Sequence, residues 1–187
     1  MTSKKAIKVA RANVAKVSTI IIVSHILQNE FFGTKLFTDK WLYASLAQLA
    51  GWVGYSLYID GKVNCTHKEK KIANAMNTVV KMGSVFTITR VVATGMKNKI
   101  DISRSWMENT AKVLAGFALV DLIGDDKLPK WKGHEGTVKD LAYVVSSSVV
   151  PQLLSGRKLD NKFWLETATV AAGFFVYDEY VQKKIFK

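Results

Sequence analysis

Apolar runs and polar breaks alternate along this chain at long intervals. Runs over 17–27, 79–92 and 141–154 each precede a second run that follows one shared pattern. The pattern is a basic residue and an aliphatic one, an aromatic at the start of the second run, and Ala-Gly-aromatic about nine residues further on. Its three copies are Lys35-Leu36, Trp41 and Ala50-Gly51-Trp52; Lys99-Ile100, Trp106 and Ala115-Gly116-Phe117; and Lys158-Leu159, Phe163-Trp164 and Ala172-Gly173-Phe174. A lysine follows each glycine by eleven positions, at Lys62, Lys127 and Lys184. A unit of about sixty residues with two apolar segments reads as a helical hairpin, because neighbouring units must cover the face that each leaves open. The pattern predicts an all-α chain in one domain over 1–187: a bundle of about six helices built from three tandem hairpins, at roughly 6–62, 72–127 and 137–187.

Composition narrows this picture. Of 187 residues 49% are hydrophobic and only 2 are proline, which favours helices over a turn-rich β fold. The single cysteine, Cys65, excludes an intramolecular disulfide and a thiolate metal cluster. A net charge of +12 calls for an acidic surface nearby. The first sixteen residues are basic and spaced as an amphipathic helix, with Ile7, Ala10, Val14 and Val17 on one side, and no cleavage signature follows. This segment is expected to be retained.

One run reads as a membrane span. Residues 41–59 contain no charge, and Trp41, Tyr43, Tyr55 and Tyr58 lie toward the ends, where aromatic rings favour a headgroup boundary. The other five segments hold or adjoin Lys16, Lys81, Arg90, Lys112, Asp121, Asp140 and Glu166. They require ion pairing to insert, since a lone charge at mid-bilayer costs about 2.5–3.5 kcal/mol. Antiparallel counting within the second hairpin pairs Arg90 with Glu108 and Lys81 with Asp121. Lys and Arg number sixteen on the side of the termini and eight on the other, so the termini are expected on the cytosolic side. Trp41, Trp106 and Trp164 then form an interfacial ring on the far side. The mean hydropathy of +0.09 and several runs of only ten to fifteen residues fit a water-soluble bundle instead.

Ala44, Ala47, Gly51 and Gly54 share one face of the second helix and, with Gly116 and Gly173, are the expected sites of close helix packing. Ser146, Ser147 and Ser148 before Pro151 predict a kinked helix with a polar lining. His25 reads as a hydrogen-bonded interior group.

No catalytic constellation is legible. His25, His67 and His134 lie far apart without a second ligand at helical spacing, Gly61-Lys62 lacks the rest of a phosphate loop, and Cys65 near His67 lacks an orienting group. The expectation is a non-enzymatic protein with no metal and no cofactor. Lys68, Lys70 and Lys71 in one loop, and Lys130, Trp131 and Lys132 in another, are candidate contacts to partner proteins or anionic headgroups; they do not specify nucleic acid.

Short loops, basic connections such as His67-Lys68-Glu69-Lys70-Lys71, and the lack of catalytic or transporter motifs resemble the small, lysine-rich, multi-span membrane proteins of large icosahedral DNA viruses. That resemblance implies a minor capsid or inner-membrane component of the virion, tying a lipid bilayer to a protein shell. Its partners would be the bilayer and neighbouring capsid or membrane proteins, with a homo-oligomer as a further possibility. The alternative expectation is a small transporter or ion channel that uses the intramembrane charges and the kinked fifth helix.

Overall fold

A computed structural model describes residues 4–97 and 99–185, so the first three residues of the N-terminal segment and the last two of the third repeat lie outside the described residues. The fold is all-α: the described residues form six long helices and no strand. These are α1 (Lys4–Phe32), α2 (Asp39–Gly54), α3 (Lys70–Gly95), α4 (Arg104–Ile123), α5 (Glu135–Leu154) and α6 (Asn161–Val176). Helices α2 and α6 each run on into a π-helical turn, Tyr55–Ile59 and Tyr177–Val181, and a short α7 (Gln182–Ile185) follows the second.

The same residue chemistry starts every second helix. The side chains of Thr38, Ser103 and Asp160 accept hydrogen bonds from the backbone N–H of Trp41, Trp106 and Phe163 at 3.3, 3.4 and 2.8 Å. Each satisfies one of the amides that a helix start leaves without a partner. Every cap stands thirteen residues before a glycine, Gly51, Gly116 or Gly173, and all three glycines are buried. Burial recurs four and five positions beyond them, at Tyr55-Ser56, Val120-Asp121 and Tyr177-Asp178.

Each glycine meets the first helix of the next pair. A Cβ on Gly51 would strike Thr89 and lie 2.8 Å from the Val85 carbonyl oxygen in α3. On Gly116 it would lie 2.5 Å from the Ser146 carbonyl oxygen in α5, and on Gly173 it would lie 2.8 Å from Ile20 Cα in α1. The seams α2–α3, α4–α5 and α6–α1 are therefore backbone-to-backbone, and the last closes the six helices into a ring. Helices α1 and α2 touch less extensively than α2 and α3, and α5 and α6 less than α4 and α5. The closest approach lies between repeats as much as within them.

The membrane reading is overturned. Among the described residues, no helix is long and apolar enough to cross a membrane. The α-helix that carries the uncharged run 41–59, α2, has only 16 residues, two of them the charged Asp39 and Lys40 before the run, and then gives way to a π turn. At 1.5 Å per residue that is about 24 Å, short of a hydrocarbon core about 30 Å thick. The longer helices carry charge along their length, Lys4, Lys5, Lys8, Arg11 and Lys16 in α1 and Lys70, Lys71, Lys81 and Arg90 in α3. Integral, multi-span placement with cytosolic termini falls with this finding. So do the membrane-bound viral component and the transporter or channel, which both required spanning.

Other expectations are corrected locally. Trp41, Trp106 and Trp164 do not mark a bilayer interface: they sit in the first turns of α2, α4 and α6. Trp41 stacks on buried His25 at 4.7 Å, and His25 Nε2 accepts from the Phe37 amide at 3.4 Å. Ala44 is exposed, so the packing face of α2 is Ala47 and Gly51, with Gly54 against Ile88. Ser146 and Ser147 line no path. Ser146 Oγ donates to the Gly116 carbonyl at 2.7 Å, across the α4–α5 seam, and Ser147 Oγ donates to the Val144 carbonyl at 3.2 Å within α5. Pro151 lies inside α5 without ending it.

Replacing Gly51, Gly116 or Gly173 by alanine should destabilise the fold by about 1–3 kcal/mol in urea unfolding, because overpacking at a backbone contact outweighs alanine's better helix propensity. Gly136→Ala, where a Cβ would meet nothing within 4 Å, should be neutral or stabilising in the same measurement. Equal effects at the four positions would refute the backbone seams.

Candidate functional site

The polar interior gathers at the end of the ring that carries the α2–α3 and α4–α5 connections. Because burial recurs just beyond each glycine, every second helix delivers a polar residue there: Ser56, Asp121 and Asp178, at 0%, 3% and 8% exposure. The π turns of α2 and α6 begin one residue before Ser56 and Asp178, and such turns frequently accompany functional sites.

Each polar residue is met by side chains from the odd helices. Ser56 Oγ accepts from Asn13 Nδ2 at 2.8 Å and donates to the Trp52 carbonyl at 2.8 Å. Asp121 Oδ1 accepts from Tyr143 at 2.7 Å and from Lys139 at 3.2 Å, and Lys139 also bonds Asp125 at 2.9 Å. Lys16 bonds Asp140 and stands 3.7 Å from Asp178 Oδ1. Asp121 Oδ2 and Asp178 Oδ2 are buried without a hydrogen-bond partner.

This geometry shifts the titrations. Burial raises the Asp178 carboxyl to about 6; Lys16 opposes the rise and Asp140 reinforces it. Burial, with the hydrogen bond to Asp121, pushes the Tyr143 hydroxyl up to about 12. Desolvation works against the charge on Lys139, but Asp125, Tyr143 and Asp121 together hold its pKa above the ordinary lysine value. Glu179 is held down at about 2 by Lys183 and by His134, whose Nδ1 lies 2.5 Å from its Oε1.

Two cavities open onto this end. One of about 530 Å³ lies between α1, the start of α5 and the π turn of α6, with Lys16, His134, Asp140, Tyr177, Asp178 and Glu179 on its walls. The other, of about 400 Å³, lies between the π turn of α2, the connection after it and α3, with Tyr55, Asp60, Asn64, Thr78 and Lys81 on its walls. Asn77 fixes that connection to α3: its Oδ1 accepts from the Cys65 amide at 2.7 Å and its Nδ2 donates to the Cys65 carbonyl at 3.1 Å. Among the described residues, no group of three or more His, Cys, Asp and Glu side chains could hold a metal ion.

The ion pairs expected from hairpin counting do not form. Arg90 reaches toward its own turn and clasps Asp101, with its Nε on the Asp101 carbonyl at 2.8 Å and a guanidinium nitrogen on the carboxylate at 2.9 Å. Glu108 lies on the outer face of α4 and pairs with Arg104 at 2.8 Å. Asp121 is turned across the seam toward α5, and Lys81 lies over the Trp52 ring at 5.3 Å. Counting positions along a hairpin sets depth but not the direction in which a side chain faces, and here the ring directs Asp121 away from α3.

The candidate loop residues lie at the same end. Lys68, Lys70, Lys130 and Lys132 are exposed. Lys71 bonds the Ile123 carbonyl at 2.9 Å and Asp126 at 3.1 Å, tying the start of α3 to the end of α4 and the connection after it. Trp131 is 45% exposed and stacks on His134 at 4.4 Å. The sequence reading passed over Asn13, Tyr143, Tyr177 and Asp178 as site residues. The signal that finds the last two is the pair ending in a polar residue, Tyr-Ser, Val-Asp and Tyr-Asp, four and five positions after each repeat glycine.

No protein-family model matches the chain, and no curated protein or solved structure is significantly similar to it.

Asp178 gives the site a pH signature. A carboxyl whose folded pKa is raised from 3.8 to about 6 contributes stability that is full below about 4 and lost as pH rises through about 6. Subtracting the thermal-unfolding profile of Asp178→Asn from that of the parent should leave a decline across this window. A flat difference would mean that Asp178 is not held in the protonated form by burial.

Proposed function

We propose that this protein is a non-catalytic structural subunit that acts by self-association, packing the outer faces of its helices against further copies of the same chain. The observation that carries this reading is the inverted distribution of apolar side chains. The largest fully buried side chains are only Val85, Thr169 and Ser56, whereas Ile22, Ile26, Leu42, Tyr43 and Leu46 are each more than 40% exposed. Exposed apolar residues scattered singly are ordinary, but stripes at helical spacing indicate a contact surface. Ile22 and Ile26 form such a stripe on α1, and Leu42 and Leu46 form one on α2, the helix paired with it.

Charge supports the same reading at the end of the ring. Lys62, Lys68, Lys127, Lys130 and Lys132 stand exposed on the two connections there, with Lys70 exposed at the start of α3. Their mutual repulsion disfavours end-to-end stacking of copies and leaves the lateral faces as the route of association. The same lysines suit an acidic partner surface.

The purified chain should sediment as a dimer or larger species at micromolar concentration. Leu42→Glu with Leu46→Glu should weaken association at least tenfold with far-UV circular dichroism unchanged, since each leucine withdrawn from the contact is worth about 1 kcal/mol or more. A parent chain that sediments as a monomer throughout the concentration range would overturn the proposal.

A further inference from the structure

Among the described residues, Lys81 is a half-buried lysine with no salt bridge to hold its charge. Lysines rarely leave water without a carboxylate partner. Lys16 has Asp140 and Lys139 has Asp121, but Lys81 makes no ion pair or hydrogen bond among the described residues. It contacts the Trp52 ring face at 5.3 Å and lines the cavity of about 400 Å³. Burial lowers its pKa from the ordinary lysine value; Lys16 adds to the fall, while Asp60 and Asp140 oppose it. The cavity therefore presents an amine whose lone pair is more available than that of a solvated lysine.

The remaining walls show what such an amine would meet. Tyr55 donates to the Asp60 carboxylate at 3.5 Å, and burial with that carboxylate keeps the Tyr55 hydroxyl protonated above its usual range. Thr78 and Asn64 add a hydroxyl and an amide. These groups suit a hydroxylated compound, and Asp60 disfavours an anionic one.

We propose that Lys81 is a reactive amine site that condenses with a small, neutral, hydroxylated aldehyde seated in this cavity. The Nζ lone pair attacks the carbonyl carbon and a proton passes from nitrogen to oxygen, giving a carbinolamine. The carbinolamine hydroxyl then departs as water, taking the C–O bonding pair and a proton from the Tyr55 hydroxyl, as the nitrogen lone pair forms the C=N bond. The resulting iminium proton returns to the tyrosinate. Amine and aldehyde give imine and water, with no oxidant or reductant required. The site is independent of the association surface, which involves the outer faces of α1 and α2.

The test is reductive labelling of the full chain at pH 7 with glyceraldehyde and cyanoborohydride, followed by peptide mapping. Lys81 should be labelled at least tenfold faster than exposed Lys62, Lys68 and Lys70, should lose that lead in urea, and should react more slowly with glyoxylate than with glyceraldehyde. Labelling no faster than at the exposed lysines overturns the site. A lead that survives urea also overturns it, because the preference would then not come from the folded cavity. A glyoxylate rate equal to or above that of glyceraldehyde overturns the neutral-aldehyde assignment.

Discussion

Everything in this fold follows from three places where two helix backbones touch. Gly51, Gly116 and Gly173 leave no room for a side chain against Val85, Ser146 and Ile20, and this proximity sets the distance and rotation of every neighbouring pair. Apolar burial does less of the ordering than usual, because the largest fully buried side chains are a valine, a threonine and a serine. Dispersion contacts and hydrogen bonds across the narrow seams, such as Ser146 to the Gly116 carbonyl, take up that role.

Once the glycines fix the rotation of α2, α4 and α6, the residues four and five positions beyond them must point inward. Tyr55-Ser56, Val120-Asp121 and Tyr177-Asp178 are therefore interior by geometry whatever their polarity, and the odd helices supply Asn13, Lys16 and Lys139 to satisfy them. The satisfaction is incomplete, since one oxygen each of Asp121 and Asp178 has no partner. Buried polar groups of this kind restrict the arrangements that a bundle can adopt, because a slipped register would leave several more of them unpaired.

The sequence announced the helices, their number and the glycines, because apolar runs, glycines and aromatics recur at fixed spacing, although the caps that start the second helices went unread. It misled where it was read as a membrane chain. An uncharged stretch at 41–59 has the composition of a span, but composition does not reveal that its α-helix ends at Gly54. The ion pairs were missed for a related reason: spacing fixes how far along a helix Lys81 and Asp121 lie, whereas their facing depends on contacts with α2 and α5 that a single hairpin does not contain. The apolar exterior was visible as composition and invisible as an exterior, since a sequence does not state which face of a helix is covered.

The α6–α1 seam has a consequence for how the ring comes together. Gly173 meets Ile20 across a separation of most of the chain, so the contact that completes the circle is the most remote in sequence, whereas the other two glycine seams join helices close along it. Loop-closure entropy and contact order place such a contact late. Until then α1 to α5 form an open arc whose first helix shows a bare edge at Ile20. That edge can be capped by α6 of its own chain or of another, which makes ring closure the step at which exchange of the last helix between molecules competes with completion of one.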